Sequence, residues 1–171
     1  IAKKYGYKCY IWGDMLANAY FQDPHNYNLE LPSNITPFIW RYSPVGKKET
    51  DKEISLYKNL AKGNIAYAGG VDKWRGFVPH NQYAFESLKE QIEGCNKHGI
   101  DNFLVTAWAD CGADASMFSS LPGIFYASVI ARGLDIKDVI DEFNKVTGME
   151  FKDFLHIDDL DRCKDKKSIY K

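Results

Sequence analysis

Four short apolar runs, each followed by a stretch of helical spacing, constrain this chain more than any other feature. Tyr7 to Trp12, Ile35 to Trp40, Asn64 to Ala68 and Asp101 to Trp108 read as strands. Met15 to Tyr20 follows the first run as a short helix, with Asp14 placed either to cap it or to support a pocket. Glu49 to Lys62 carries Ile54, Leu56, Tyr57, Leu60 and Ala61 at amphipathic spacing and ends at Gly63. A long helix runs from Pro79 to about His98, stopped by Gly99, and Met117 to Ala131 is a nearly all-apolar helix expected to be buried on most sides. Two short helices follow, near Ile136 to Val146 and Glu150 to His156, before a Lys/Asp-rich tail from Asp161 expected to fray. Continuous apolar strands alternating with helices imply parallel pairing with right-handed crossovers. Four such units make half of an eightfold α/β barrel or a small, open, doubly wound sheet. In both, functional residues gather at the carboxyl ends of the strands.

Those ends carry the chain's tryptophans. Trp12-Gly13-Asp14, Trp40-Arg41-Tyr42, Gly69-Gly70 followed by Trp74, and Trp108-Ala109-Asp110 followed by Asp114 each join an aromatic or glycine stop to polar residues. An indole face stacks on the apolar face of a sugar, and a nearby carboxylate accepts hydrogen bonds from its hydroxyls. Repeated at the same end of successive strands, the pattern reads as a carbohydrate pocket. The plain alternative is four separate core tryptophans beside helix-capping aspartates.

Composition narrows the field. A formal charge of −1 offers nothing to nucleic acid or an anionic membrane. No apolar stretch approaches the roughly 20 residues that span a bilayer. Cys9, Cys95, Cys111 and Cys163 form no zinc spacing and read as reduced thiols, so a cytoplasmic setting is expected, with an upstream signal peptide left open. His25, His80, His98 and His156 do not cluster, so no metal is expected. Gly69-Gly70 lacks the third glycine of a phosphate fingerprint, and no cofactor is expected. The chain opens on Ile1 close to its first strand, and is expected to be a fragment or excised domain.

The segments YIWGDML, ITPFIWRYS, IAYAGGVDKWRGFVPHN and FLVTAWADCGADASMFSSLP resemble, in order and spacing, the second half of the catalytic barrel of family 20 glycoside hydrolases. The closest likeness is to a bacterial subgroup, whose small post-barrel helical region VTGMEFKDFL also resembles. The resemblance implies residues 1–133 as the C-terminal half of a TIM (β/α)8 barrel and 134–171 as a helical extension. It further implies an exo-acting β-N-acetylhexosaminidase that removes terminal β-linked GlcNAc or GalNAc with retention. In that family the substrate's acetamido oxygen is the nucleophile, outside the usual two-carboxylate scheme. An Asp-Glu pair at the fourth barrel strand would then lie upstream of this chain. The piece alone is expected to be inactive, and to need its missing N-terminal half-barrel or to associate with itself through open sheet edges.

Carried over residue by residue, the resemblance makes Trp12, Trp40 and Trp108 walls of the sugar pocket, and Trp74 its rim. Tyr42 matches a tyrosine that hydrogen-bonds the acetamido oxygen, a positioning and electrostatic role. The alternative for Tyr42 is a partly exposed strand-end tyrosine. Asp110 and Asp114 fall where the family binds sugar hydroxyls, although the subgroup has a glutamate at Asp114 and an asparagine at Cys111. The shorter acid reaches about one methylene less far, so contact with the sugar's outer hydroxyls is either lost or runs through water. Asp141-Glu142 mimics the catalytic pair, but Ile136, Val139, Ile140 and Phe143 take the core stripe of its helix and leave the pair on the solvated face. A non-catalytic carbohydrate-binding module with an aromatic platform is the competing reading.

Overall fold

The structure, a computed structural model, describes residues 1–25, 31–62, 64–74, 76–109 and 115–161. Four strands, β1 (Cys9–Trp12), β2 (Ile35–Trp40), β3 (Ala66–Gly70) and β4 (Phe103–Thr106), form one all-parallel sheet in the order β1-β2-β3-β4. The strands alternate with helices α1 (Asp14–Gln22), α2 (Lys47–Leu60), α3 (Asn81–His98) and α4 (Leu121–Ala131). Two more follow, α5 (Ile136–Thr147) and α6 (Phe151–Leu155). The α/β alternation and parallel pairing agree with the sequence pattern. Strand order never reverses, so the sheet has no switch point of the doubly wound kind.

Register assigns the two faces of the sheet. Ile39 pairs with Tyr67, and Tyr67 with Phe103, so these side chains share one face. There Ile39 and Tyr67 are buried against Ala17 of α1, Ile54 and Tyr57 of α2 and Cys95 of α3. Phe103 and Val105 meet Leu88 and Ile92 of α3 and Ala127 of α4. All four helices therefore cover the same side. The opposite face holds Tyr10, Trp12, Trp40 and Leu104, each more than 40% exposed. One face of the sheet is thus a helix-packed core, and the other a bare aromatic surface.

Several sequence expectations need correction. Gly69-Gly70 does not stop β3; both glycines lie inside it. They are there for packing, since a Cβ at Gly69 would come within 2.8 Å of the Phe103 ring and 2.9 Å of Leu88. The fourth strand is shorter than Asp101 to Trp108, and β4 is an edge strand whose Leu104 faces the bare side. Met117 to Ala131 is not one helix: a 3₁₀ turn over Met117–Ser120 precedes α4, which starts with Pro122 in its first turn. Proline suits a helix start and obstructs helical continuation upstream. Nor is this segment buried all round, for Met117, Phe118 and Ile124 are exposed. Pro37 stays within β2 because pairing with β3 begins only at Phe38, leaving β2 with one neighbour at that point.

Beyond the sheet, Phe143, Phe151 and Phe154 of α5 and α6 form an aromatic core with Phe85 of α3 and Phe125 of α4. Asp141 and Glu142 are exposed, as the helical spacing predicts. Gly63, Cys111, Cys163 and the tail beyond Asp161 lie outside the described residues. No helix among the described residues is long and apolar enough to cross a membrane.

Burial pushes the Tyr57 phenol up to about 12, with Glu53 and Asp14 adding to it, and pushes the Cys95 thiol up to about 12. The Tyr67 phenol is also raised, chiefly by burial and then by Glu53. The fold holds the neutral forms, so the stability they confer is complete below their ordinary values of 9.0 for the thiol and 10.0 for the phenols. It is lost as pH rises through the raised values. Urea denaturation at a series of pH values should show the midpoint falling between about pH 9 and pH 12, and a flat profile there would contradict this core.

Candidate functional site

Tyr42 is held by the loop between β2 and α2. Arg41 makes a two-pronged ion pair with Glu53 of α2, Nε to Oε2 at 3.0 Å and Nη2 to Oε1 at 2.5 Å. The hydrogen bonds that Arg41 donates to Glu53 are the main reason its guanidinium is raised above its ordinary value. The Tyr67 hydroxyl donates to the same carboxylate at 3.1 Å. Gln91 Nε2 donates to the Arg41 carbonyl at 3.0 Å, fixing the residue between Trp40 and Tyr42. Further along, the Glu90 carboxylate accepts the backbone N–H groups of Val45 and Gly46 at 2.6 and 2.8 Å. A negative charge there also suits the positive end of α2.

The other loops are anchored in similar ways. Gly13 lets β1 turn directly into α1, since a Cβ there would meet Tyr57 and the Phe38 carbonyl at 2.6 and 2.7 Å. Asp14 is the first residue of α1 rather than its cap, and no side chain caps that helix. After β3, the buried Asp72 takes a left-handed conformation with φ 42, and its carbonyl accepts the His80 N–H at 3.0 Å. The buried Lys73 reaches across to the Trp108 carbonyl at 3.4 Å, joining the loops after β3 and β4. Gly70 makes room for Trp74, whose ring would lie 2.6 Å from a Cβ at that position.

These anchors bring the four tryptophans together. Trp12, Asp14, Trp40, Tyr42, Trp74 and Trp108 line one open cavity of about 530 Å³ at the carboxyl ends of the strands. The Tyr42 ring lies 5.6 Å from Trp40 and 4.9 Å from Trp74, centroid to centroid. Across the cavity Trp12 and Trp108 are 6.0 Å apart. Trp108 Nε1 donates to the Tyr42 hydroxyl at 2.7 Å and closes the ring of aromatics. A second cleft of about 770 Å³ opens between α1 and α2 and shares Asp14, Trp40, Tyr42 and Trp74 with the first. Asp110 and Asp114, expected to bind hydroxyls, lie outside the described residues.

Chemically, the cavity offers ring faces for stacking, a phenol and one carboxylate, Asp14, among the described residues. That set can hold a small polyol with an apolar face. It does not by itself contain the pair of carboxyl groups that most glycoside hydrolysis requires. Among the described residues no group of three or more His, Cys, Asp or Glu converges as a metal site. In comparison with known proteins, no family model matches this chain, and no curated protein matches it significantly.

The sequence assigned no role to Arg41, Glu53, Glu90, Gln91 or Lys73. A signal existed for Gln91, which falls on the apolar stripe Ala84, Leu88, Cys95 of α3 and is fully buried. A polar residue in such a stripe has a partner to satisfy.

Gly70→Ala tests how the sheet shapes the cavity. The added methyl must displace Trp74 or Thr106, whose Oγ1 would lie 2.9 Å away. A loss of about 1–3 kcal/mol in urea unfolding with a shift in tryptophan emission is expected, whereas wild-type stability and emission would show that the two do not touch.

Proposed function

We propose that this chain is the second half of a (β/α)8 barrel and supplies the sugar-pocket walls of an exo-acting β-N-acetylhexosaminidase. The observation that carries the proposal is the convergence of Trp12, Trp40, Trp74, Trp108 and Tyr42 on one cavity at the carboxyl ends of parallel strands. A singly wound sheet with helices on one face and exposed aromatics on the other supports the half-barrel assignment. In a closed barrel the bare face becomes the interior, and both edge strands gain parallel neighbours. The partner unit is then the other half-barrel, and it brings the Asp-Glu pair that protonates the leaving oxygen and orients the acetamido group.

In this reading the indoles pack the sugar ring and the acetamido methyl. Tyr42 donates to the acetamido oxygen, holding the nucleophile within attack distance and stabilising the charge that develops on ring closure. The chain by itself binds sugar weakly and hydrolyses nothing. A binding module is the second reading, favoured by the presence of a single carboxylate, Asp14, among the described residues lining the cavity.

Hydrolysis of a chromogenic N-acetyl-β-glucosaminide, by the longer protein to which the proposal assigns this chain, separates the two. Activity that falls about 100-fold or more on Tyr42→Phe supports the enzyme and the acetamido role. No activity, with sugar still protecting the tryptophans from iodide quenching, supports the binding module instead.

A further inference from the structure

The hydrogen bond between Trp108 and Tyr42 has only one possible direction. An indole N–H donates and cannot accept, so Trp108 is the donor and the Tyr42 oxygen the acceptor. The phenolic proton is left over, and among the described residues it has no acceptor. The phenol ring is itself fixed between Trp40 and Trp74. The remaining freedom is rotation of the hydroxyl, and the Trp108 N–H removes it by occupying the oxygen's acceptor side. Donation into the oxygen also polarises the O–H bond and strengthens it as a donor.

We propose that Trp108 is a positioning residue that sets specificity through Tyr42. With its acceptor side filled, Tyr42 presents the cavity with a donor only. A sugar carrying an amide carbonyl satisfies that donor. The same sugar with a free ammonium group cannot, since an ammonium only donates, and its binding leaves the hydroxyl unpaired. The choice of N-acylated over deacylated amino sugar is thereby made by a residue whose own hydrogen bond goes to protein. This rests on the sugar-pocket reading, whereas the hydrogen bond beneath it does not.

Two measurements on the 171-residue chain test the proposal. The first needs no sugar. In ¹H–¹⁵N spectra the Trp108 indole signal, assigned by its loss in Trp108→Phe, should move upfield in Tyr42→Phe and exchange with solvent about 5- to 10-fold faster. An unchanged signal means the bond is absent in solution and overturns the proposal. The second is titration with N-acetylglucosamine and with glucosamine, followed by chemical shifts at high sugar concentration. Trp108→Phe, which keeps an aromatic wall, should lower the preference for the acetylated sugar about 5- to 10-fold. In the Tyr42→Phe background it should lower that preference no further. Equal losses for both sugars, or losses that add fully to those of Tyr42→Phe, would make Trp108 a wall alone and overturn the proposal. If neither sugar binds, the sugar reading fails and the specificity role with it, while the indole signal still decides the hydrogen bond.

Discussion

Parallel, in-register hydrogen bonding of four successive strands is the constraint on which the rest of this structure depends. It sends alternate side chains to opposite faces, so Ile39, Tyr67 and Phe103 meet the helices while Trp12, Trp40 and Leu104 cannot. The same register places the carboxyl ends of all four strands side by side. Residues just beyond those ends then share one mouth, although Trp12 and Trp108 lie far apart in the chain. The pocket is a consequence of topology, and its chemistry depends on which residues occupy the strand ends.

Topology alone does not hold a side chain still. Tyr42 sits on a loop, and the helices behind the sheet fix that loop from three directions. Glu53 takes the Arg41 guanidinium, Gln91 takes the Arg41 carbonyl, and Glu90 takes two backbone N–H groups at the start of α2. Contacts of this kind are specific because a buried polar group left unmatched costs about 1–3 kcal/mol. The polar side chains of α2 and α3 thus act on the site from behind the sheet.

How far the sequence discloses this varies by residue. The ends of β1 and β2 were legible because Trp12 and Trp40 close their apolar runs, and β2 has the limits its apolar pattern predicts. Gly69 and Gly70 misled, because a glycine that stops a strand and one that admits a neighbour look alike without the neighbours Phe103 and Trp74. The exposure of Leu104 was hidden for a related reason: an apolar run does not reveal whether its strand lies at an edge. Periodicity placed Asp141 and Glu142 on a solvated surface but could not show that Pro122 begins a new helix. The Trp108–Tyr42 bond was out of reach, since it joins loops 66 residues apart.

The proposed function requires these aromatics to form one pocket for an N-acetylated sugar. Saturation-transfer NMR of the chain with N-acetylglucosamine tests it most directly. The strongest transfer should reach the acetyl methyl and one face of the sugar ring, and be lost on Trp40→Ala. Transfer that is absent, or even across all sugar protons and indifferent to Trp40, would contradict it.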